Sequence, residues 1–137
     1  MIDKESLPQV AYQVMNKVHE EEVDLLNSLE EILKDEVLDI FKIDELLTTL
    51  LEHTKEHFAN EERLMQEVLF PAMVMHQGEH LRVINEMKMV VNRWELTRDP
   101  ALIREYFLGT LVEWLMLHIN TMDTITAQFI SMRKGEL

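Results

Sequence analysis

The sequence predicts an all-α protein, an up-down-up-down antiparallel four-helix bundle in which residues 1–137 form a single domain. Gly and Pro number only three each, too few for the many turns of a β-sandwich or β-barrel. Apolar residues recur at helical spacing along four long segments. Short breaks separate these segments, and long helices joined by short connections pack antiparallel to one another.

The composition narrows the class of function. Acidic residues (26) outnumber basic residues (13), and the formal net charge is −13. Nucleic acid and anionic membranes need a basic footprint, so neither is an expected partner. The chain has no cysteine, so any bound metal must be held by histidines and carboxylates. The N-terminus lacks a signal segment and no apolar run reaches about 18–20 residues, so we expect a cytoplasmic protein.

An N-cap signal predicts where the first helix begins, and a proline predicts where the second helix ends. Ser6 is the expected N-cap of the first helix, with Pro8 in the first turn, and the helix extends to about Leu33. Its apolar stripe comprises Val10, Val14, Met15, Val18, Leu25, Leu26, Leu29 and Leu33. A short connection leads into a second helix, which the Phe70-Pro71 pair interrupts because a residue before proline disfavours helical geometry. Its apolar residues are Leu46, Leu47, Leu50, Leu51, Phe58, Leu64, Met65 and Val68.

The third helix is predicted from about Ala72 to about Leu96. Its expected core residues are Met73, Leu81, Ile84, Met87 and Val91. Asp99 is then a suitable N-cap and Pro100 a suitable first residue for the fourth helix. That helix continues to about Arg133 and buries Leu102, Phe107, Leu111, Leu115 and Phe129.

Histidines and carboxylates recur on all four predicted helices. His57 and Glu61 are four residues apart on the second helix, and His76 and His80 are four apart on the third, so each pair projects from one helix face. The other helices add His19, His118 and Asp123. A single pair of this kind commonly lies at the surface without binding a ligand, and a single buried histidine is commonly a hydrogen-bonded core residue. The combination of all these residues instead favours a metal site in the bundle core.

The number and type of these residues suggest a metal pair. Five imidazoles and two carboxylates exceed one coordination sphere, whereas two bridging carboxylates and five nitrogens suit two ions. Imidazole and carboxylate ligands without thiolate favour iron or manganese, with zinc as an alternative.

In order and approximate spacing these residues resemble the hemerythrin family, in particular its single-domain bacterial members with the HHE cation-binding bundle. The flanking residues around His57, Glu61 and His118 are similar as well. The resemblance implies two iron ions joined by a bridging oxo or hydroxo group. The implied ligands are His76, His80 and His118 on one iron, His19 and His57 on the other, and Glu61 and Asp123 as bridges.

The resemblance also implies a role. Dioxygen, or a similar small diatomic ligand, would bind reversibly at the open position of the two-histidine iron, in an oxygen-transport carrier, a store or a sensor rather than an enzyme. Phe58, Trp114 and Ile119 resemble the family's pocket residues, although plain core packing also explains them.

The spacing from His118 to Asp123 predicts a local distortion. Five residues of a regular α-helix correspond to about 500°, so the two side chains would diverge by roughly 140°. A single π-turn near residues 117–123 would direct both inward, and π-bulges are frequent at functional sites.

Two positions depart from the family pattern, which usually has apolar residues there. Glu22 lies three residues after His19 and should approach the open site, as an additional metal ligand, a proton donor or a solvated acid. Asn120 would make the pocket more polar. Both favour an alternative function, a di-iron oxidase, peroxidase or nitric-oxide-handling enzyme in which Glu22 donates protons. His53 has no ligand role in the match and is expected at the surface or beside the ligands.

Overall fold

Four long helices make up most of the chain in a computed structural model that describes residues 2–135. They are α1 (Gln13–Leu33), α2 (Ile40–Glu67), α3 (Met73–Thr97) and α4 (residues 100–134). No strand is present among the described residues. The α4 helix consists of three α-helical stretches joined by two π-helical turns. The stretches are Pro100–Glu105, Leu111–His118 and Thr124–Lys134, and the turns are Tyr106–Thr110 and Ile119–Asp123.

The helices pack in sequence order and close into a bundle. Each of α1, α2 and α3 contacts the next helix, and both α1 and α2 also contact α4. The Arg104 guanidinium donates to the Leu33 carbonyl oxygen at 2.7 Å, which places the start of α4 beside the end of α1. The Trp94 indole donates to the Asp44 carboxylate at 2.7 Å, which places the end of α3 beside the start of α2. These contacts confirm the antiparallel four-helix bundle.

Side-chain caps begin two of the helices. Asp39 accepts a hydrogen bond from the Lys42 amide at the start of α2. Asp99 accepts from the Ala101 amide, with Pro100 at the first turn of α4. Each cap satisfies an amide that helix geometry leaves unpaired. The predicted start of the fourth helix is therefore confirmed.

The predicted start of the first helix was wrong. Ser6 ends a short 3₁₀ turn capped by Asp3, and α1 begins only at Gln13. Leu7 precedes Pro8 and is extended (φ −66°, ψ 127°), as the proline ring requires. The extended segment is nevertheless anchored, because the Asn16 side chain bonds both the amide and the carbonyl of Val10, at 2.8 and 2.9 Å.

The core runs along the bundle axis and is apolar at the end where α1 and α3 finish. The buried side chains there include Leu26, Leu29, Leu33, Ile43, Leu47, Leu50, Met87, Trp94, Ile103 and Phe107. Two residues expected in the core, Val14 and Leu81, are instead 57% and 61% exposed. No helix in the described part of the chain combines the length and apolar character that crossing a bilayer requires.

Candidate metal centre

The seven predicted ligand residues meet inside the bundle at the end opposite the apolar core. Each is at most 4% exposed. They are His19 from α1, His57 and Glu61 from α2, His76 and His80 from α3, and His118 and Asp123 from α4. Their ligand atoms form two groups that share Glu61, and within each group these atoms lie within 4.8 Å of one another.

A π-turn brings the last two of these residues together. Ile119–Asp123 is π-helical, and the Thr124 hydroxyl donates to the Ile119 carbonyl five residues back at 2.6 Å. With this turn between them, His118 and Asp123 both point inward, and their nearest side-chain atoms are 3.2 Å apart. The distortion predicted from the five-residue spacing is confirmed. The second π-turn, Tyr106–Thr110, was not predicted.

Three imidazoles form the first half of the centre. The Nε2 atoms of His76 and His118 are 3.0 Å apart, and those of His118 and His80 are 3.3 Å apart. Metal–nitrogen bonds of about 2.0–2.1 Å place neighbouring nitrogens about 2.9 Å apart at right angles and about 3.4 Å apart in a tetrahedron. The observed separations lie within that range, so the three nitrogens suit one ion.

Two polar side chains orient these rings from behind. Nδ1 of His80 is 3.1 Å from a Glu62 carboxylate oxygen, and Nδ1 of His76 is 2.8 Å from the Thr126 hydroxyl. A carboxylate accepts, so Nδ1 of His80 donates and its Nε2 lone pair faces the cluster. Sequence reasoning missed both supporting residues, because no ligand spacing includes Glu62 or Thr126.

Two imidazoles form the second half, and they have fewer partners. Nε2 of His57 is 2.6 Å from Oε2 of Glu61. Nε2 of His19 is 3.1 Å from Oδ2 of Asp123, without hydrogen-bond geometry. Neither ring nitrogen of His19 nor Nδ1 of His57 has a hydrogen-bond partner. This half of the centre is thus fixed mainly by its carboxylates.

Each carboxylate faces both halves. Oε2 of Glu61 approaches His57 and His19 at 2.6 and 3.7 Å, while Oε1 is 3.4 Å from Nε2 of His80. Asp123 divides its oxygens in the same way. Its Oδ2 approaches His19, and Oδ1 is 3.0 Å from Nε2 of His76. Two carboxylates that each offer one oxygen to each half can join two ions.

Unpaired atoms show that a cation fits this donor set. Among the described residues, seven buried side-chain nitrogen or oxygen atoms have no hydrogen-bond partner, and six of the seven belong to His19, His57, Glu61 and Asp123. Leaving such buried groups unpaired costs several kcal/mol. Four of these six atoms approach the other ligands: Nε2 of His19, Oε1 of Glu61 and both oxygens of Asp123. Lone pairs that converge without hydrogen-bond geometry are what metal ligation requires, so the residues fit a metal centre.

The centre is strongly polarised before any metal binds. Burial lowers the pKa of His19, but the carboxylates of Asp123 and Glu61 outweigh it and raise that pKa to about 9. Burial alone would raise the pKa of Glu61, yet His57 and the other imidazoles hold it well below its usual range. Protons and metal ions therefore compete for the same ligand nitrogens. Metal affinity should consequently rise with pH.

The four expected pocket residues occupy different places. The Phe58 ring stacks on His80 at 3.9 Å, and the Trp114 ring stacks on His118 at 4.3 Å. Both therefore cover the three-histidine half. Ile119 is fully buried beside His118 in the chain. Asn120 lies in the π-turn and is exposed, unlike the buried ligands.

Glu22 is buried but belongs to neither ligand group. One carboxylate oxygen is 2.5 Å from Nδ1 of His53, and the other accepts from the Thr54 hydroxyl at 2.6 Å. The other ring nitrogen of His53 is 3.2 Å from exposed Glu21. Glu22 is thus neither solvated nor among the converging ligand atoms. The hydrogen bond to Glu22 raises the pKa of His53.

Fold and site together define a four-helix metal-binding bundle with a histidine–carboxylate centre. A sequence model described as the hemerythrin HHE cation binding domain matches residues 10–130. A bacteriohemerythrin from Aquifex aeolicus (strain VF5) is 34% identical over 128 residues, which cover 93% of this chain and 96% of that protein. The chain belongs to the hemerythrin family, whose members are non-haem iron proteins.

A second relative supports the same assignment over a shorter stretch. A bacteriohemerythrin from Ralstonia nicotianae (strain ATCC BAA-1114 / GMI1000) is 31% identical over 87 residues, 64% of this chain and 62% of that protein. No solved structure matches the chain significantly.

Proposed function

We propose that this protein binds two iron ions at the buried centre and binds dioxygen reversibly there, as a carrier, a store or a sensor. One observation carries the proposal. Glu61 and Asp123 each direct one oxygen to the three-histidine half and one to the two-histidine half. Paired bridging carboxylates hold two cations side by side in a bundle core.

The ligand assignment follows from the two halves. His76, His80 and His118 would hold one ion, and His19 and His57 would hold the other. Glu61 and Asp123 would join the pair, together with an oxo or hydroxo group. The second half has only two imidazoles, so it would leave a position for dioxygen or a similar small diatomic ligand.

The protein's own side chains hold the metal ligands in position, exclude water from the centre and limit the access of protons to it. Iron, when bound, supplies the electrons that reversible dioxygen binding needs, which no side chain provides. The Glu62 and Thr126 contacts fix two imidazoles in orientation. Ring stacking by Phe58 and Trp114 keeps two ligand rings in place and covers them with apolar surface. Burial of all seven ligands keeps bulk water from the dioxygen site.

Repeated oxygenation cycles test this function. The iron-loaded protein is reduced without oxygen, exposed to air and then degassed, while its visible spectrum is followed. An absorption band that appears with dioxygen and disappears on degassing supports reversible binding. Immediate, irreversible conversion to a ferric spectrum would instead favour an enzyme.

The second candidate function is a di-iron oxidase, a peroxidase or a nitric-oxide-handling enzyme. The observation that favours it is the buried acid Glu22, joined through His53 to exposed Glu21. Such a chain of acid, imidazole and acid connects the solvent with the region of His57, and proton delivery is typical of oxygen-activating enzymes. In this function Glu22 supplies protons, or moves to become a further ligand.

Replacement of Glu22 separates the two functions. If Glu22 delivers protons, Glu22→Leu should slow autoxidation of the reduced protein, and Glu22→Gln, which keeps the shape, should slow it as well. Air oxidation followed in the visible spectrum gives the rate. An unchanged rate in both variants would contradict the enzyme function and leave reversible binding as the only role proposed.

A further inference from the structure

The ring of His118 is held differently from the other two rings in its half of the centre. Each of those two has a hydrogen-bond partner on Nδ1. Among the described residues, the polar contacts of His118 all use Nε2 instead. Its other contact is with the Trp114 indole, which stacks on it at 4.3 Å with 19° between the ring planes. The orientation of His118 therefore depends on that of Trp114.

The indole of Trp114 is tied to α3 by one carboxylate. Its Nε1 donates to Oε1 of Glu79 at 2.7 Å. Arg82, three residues further along α3, donates to both oxygens of the same carboxylate, at 2.6 and 3.2 Å. This paired contact with a planar guanidinium fixes the plane of the carboxylate. A hydrogen bond to an ionised acceptor is stronger than a neutral one, so the indole is held at a fixed angle over His118.

The second π-turn of α4 aligns this contact. Tyr106 and Trp114 are eight residues apart, which a regular α-helix would turn by about 800°, leaving them about 80° from a common face. The π-helical turn Tyr106–Thr110 accommodates one extra residue, so the two side chains return to within about 20° of one face. Glu86 and Glu79 are seven residues apart on α3 and share a face to the same extent. The Tyr106 hydroxyl donates to Glu86 at 3.3 Å, so the antiparallel helices meet at two matched points.

We propose that Glu79 is a positioning residue of the metal centre, which holds Trp114 over His118 and so strengthens the binding of the metal ion in the three-histidine half. An imidazole that is already fixed loses less rotational freedom when its Nε2 binds a cation. The electron-rich indole face also attracts the imidazole more strongly once a bound cation draws charge from that ring. This role of Glu79 rests on His118 being an iron ligand, as proposed above, and does not require dioxygen to bind.

The indole contact is tested in the metal-free, full-length protein by NMR. The ¹H–¹⁵N spectrum contains the indole N–H groups of two tryptophans, and Trp114→Phe identifies that of Trp114 by its loss. Glu79→Ala should shift this resonance and speed the exchange of its proton with D₂O. Glu79→Gln keeps an oxygen that accepts from the indole and should preserve slow exchange. An unshifted resonance in Glu79→Ala would overturn the proposal.

Release of ferrous iron tests the consequence for the metal. The reduced, iron-loaded protein is mixed without oxygen with a chromogenic ferrous chelator, and colour formation gives the release rate. Glu79→Ala should release one ion about tenfold faster, at the lower end of the 10–100-fold effect of residues behind metal ligands. Glu79→Gln should stay near the natural rate. An unchanged rate in Glu79→Ala would overturn the proposal.

The matched control for iron release is Glu86→Ala. Glu86 is also a carboxylate of α3 that accepts from Arg82, but its contact on α4 is Tyr106 rather than Trp114. Its removal should leave the release rate unchanged. Equally fast release from Glu86→Ala and Glu79→Ala would show that the loss of an Arg82 partner is sufficient, and would overturn the role of the indole contact.

A double-variant cycle separates an effect through Trp114 from a general one. Trp114→Phe keeps a ring without an N–H group and should speed iron release by about the same factor as Glu79→Ala. The combined variant should release iron little faster than either, because both changes break one contact. Multiplied factors would show that Glu79 acts independently of Trp114 and would overturn the proposal. Glu79→Leu also lacks an acceptor and should reproduce Glu79→Ala, so the test survives if one variant fails to fold.

Neither measurement uses the oxygenation reaction. If the natural protein binds iron but does not bind dioxygen reversibly, the proposed function is contradicted, and the indole resonance and the iron release rates still decide the role of Glu79.

Discussion

At one end of the bundle the interior is filled by side chains such as Leu47, Trp94 and Ile103, none more than 1% exposed. At the other end the same four helices bury five imidazoles and two carboxylates. Burial of apolar surface at the first end stabilises the fold by about 1.5–3 kcal/mol for each fully buried large side chain. Burial of imidazoles and carboxylates at the other end stabilises the fold only when opposite charges compensate them.

Folding and metal binding therefore depend on different ends of the bundle. Burial at the apolar end needs no ligand, because the Trp94 indole already has its partner in Asp44. Burial at the ligand end leaves nitrogens and oxygens unpaired on His19, His57, Glu61 and Asp123. Metal binding should therefore depend on the ligand end, and folding chiefly on the apolar end.

The largest expected effect is on metal binding. Asp123→Asn removes the charge of a bridging carboxylate, so iron affinity should fall by at least about 100-fold, since even residues behind metal ligands contribute 10–100-fold. Glu52→Gln, an exposed carboxylate on α2, is the control and should bind iron normally. Anaerobic iron titration measures both, and normal binding by Asp123→Asn would show that Asp123 is not a bridge.

The next largest effect is on the free energy of unfolding, and here iron binding should be unaffected. Leu47→Ala should lower the free energy of unfolding by about 2–5 kcal/mol, because it leaves a cavity in the apolar end. Iron stoichiometry of the folded variant should stay unchanged. Leu96→Ala, at an 86% exposed position, should cost little. Urea unfolding monitored by circular dichroism gives the values, and a loss of iron from folded Leu47→Ala would contradict the division between the ends.

A smaller effect is expected from shortening the π-turn. Deletion of exposed Asn120 should convert Ile119–Asp123 to α-helix and leave His118 and Asp123 four residues apart, the spacing of His57 and Glu61. Folding and iron binding should survive. Deletion of exposed Glu52 from the regular α2 helix rotates all that follows by about 100° and should abolish iron binding. Equal damage from both deletions would refute the account of the π-turn.

The smallest effect concerns pH at the apolar end. Burial would raise the pKa of Asp44, but hydrogen bonds from Arg98 and Trp94 lower it below its usual value. The carboxylate therefore stabilises the fold at neutral pH, and this contribution is lost as the pH falls through the lowered pKa. Asp44→Asn should cost only about 0.5–1 kcal/mol, because the side chain is 39% exposed.

Urea unfolding at several pH values isolates the Asp44 contribution. The difference between the natural protein and Asp44→Asn should be constant near neutral pH and shrink toward acid. A difference that grows as the pH falls would contradict the sign.

The sequence predicted the residues of the site more accurately than it predicted where the helices begin and end. The histidine pairs at four-residue spacing and the five-residue step from His118 to Asp123 are consequences of helix geometry, so they predicted both the cluster and the π-turn. The start of α1 was missed because Ser6 and Pro8 suit a helix start equally well as a 3₁₀ turn. Only the tertiary contact of Asn16 with the preceding segment decides between them.

Other features carried no sequence signal. The π-turn at Tyr106–Thr110 is not flanked by two ligands, so no spacing revealed it. Glu22 was expected near the site, but its pairing with His53 and Thr54 depends on how α1 packs against α2. The same packing determines that Phe58 covers His80.

An anaerobic titration of the metal-free protein with ferrous iron decides whether Glu61 and Asp123 hold two ions at once. We expect a single sharp break at two equivalents per chain, and a shift of that break in both bridging variants, Glu61→Gln and Asp123→Asn. A break at one equivalent, with the natural protein and the variants alike, would contradict the paired centre.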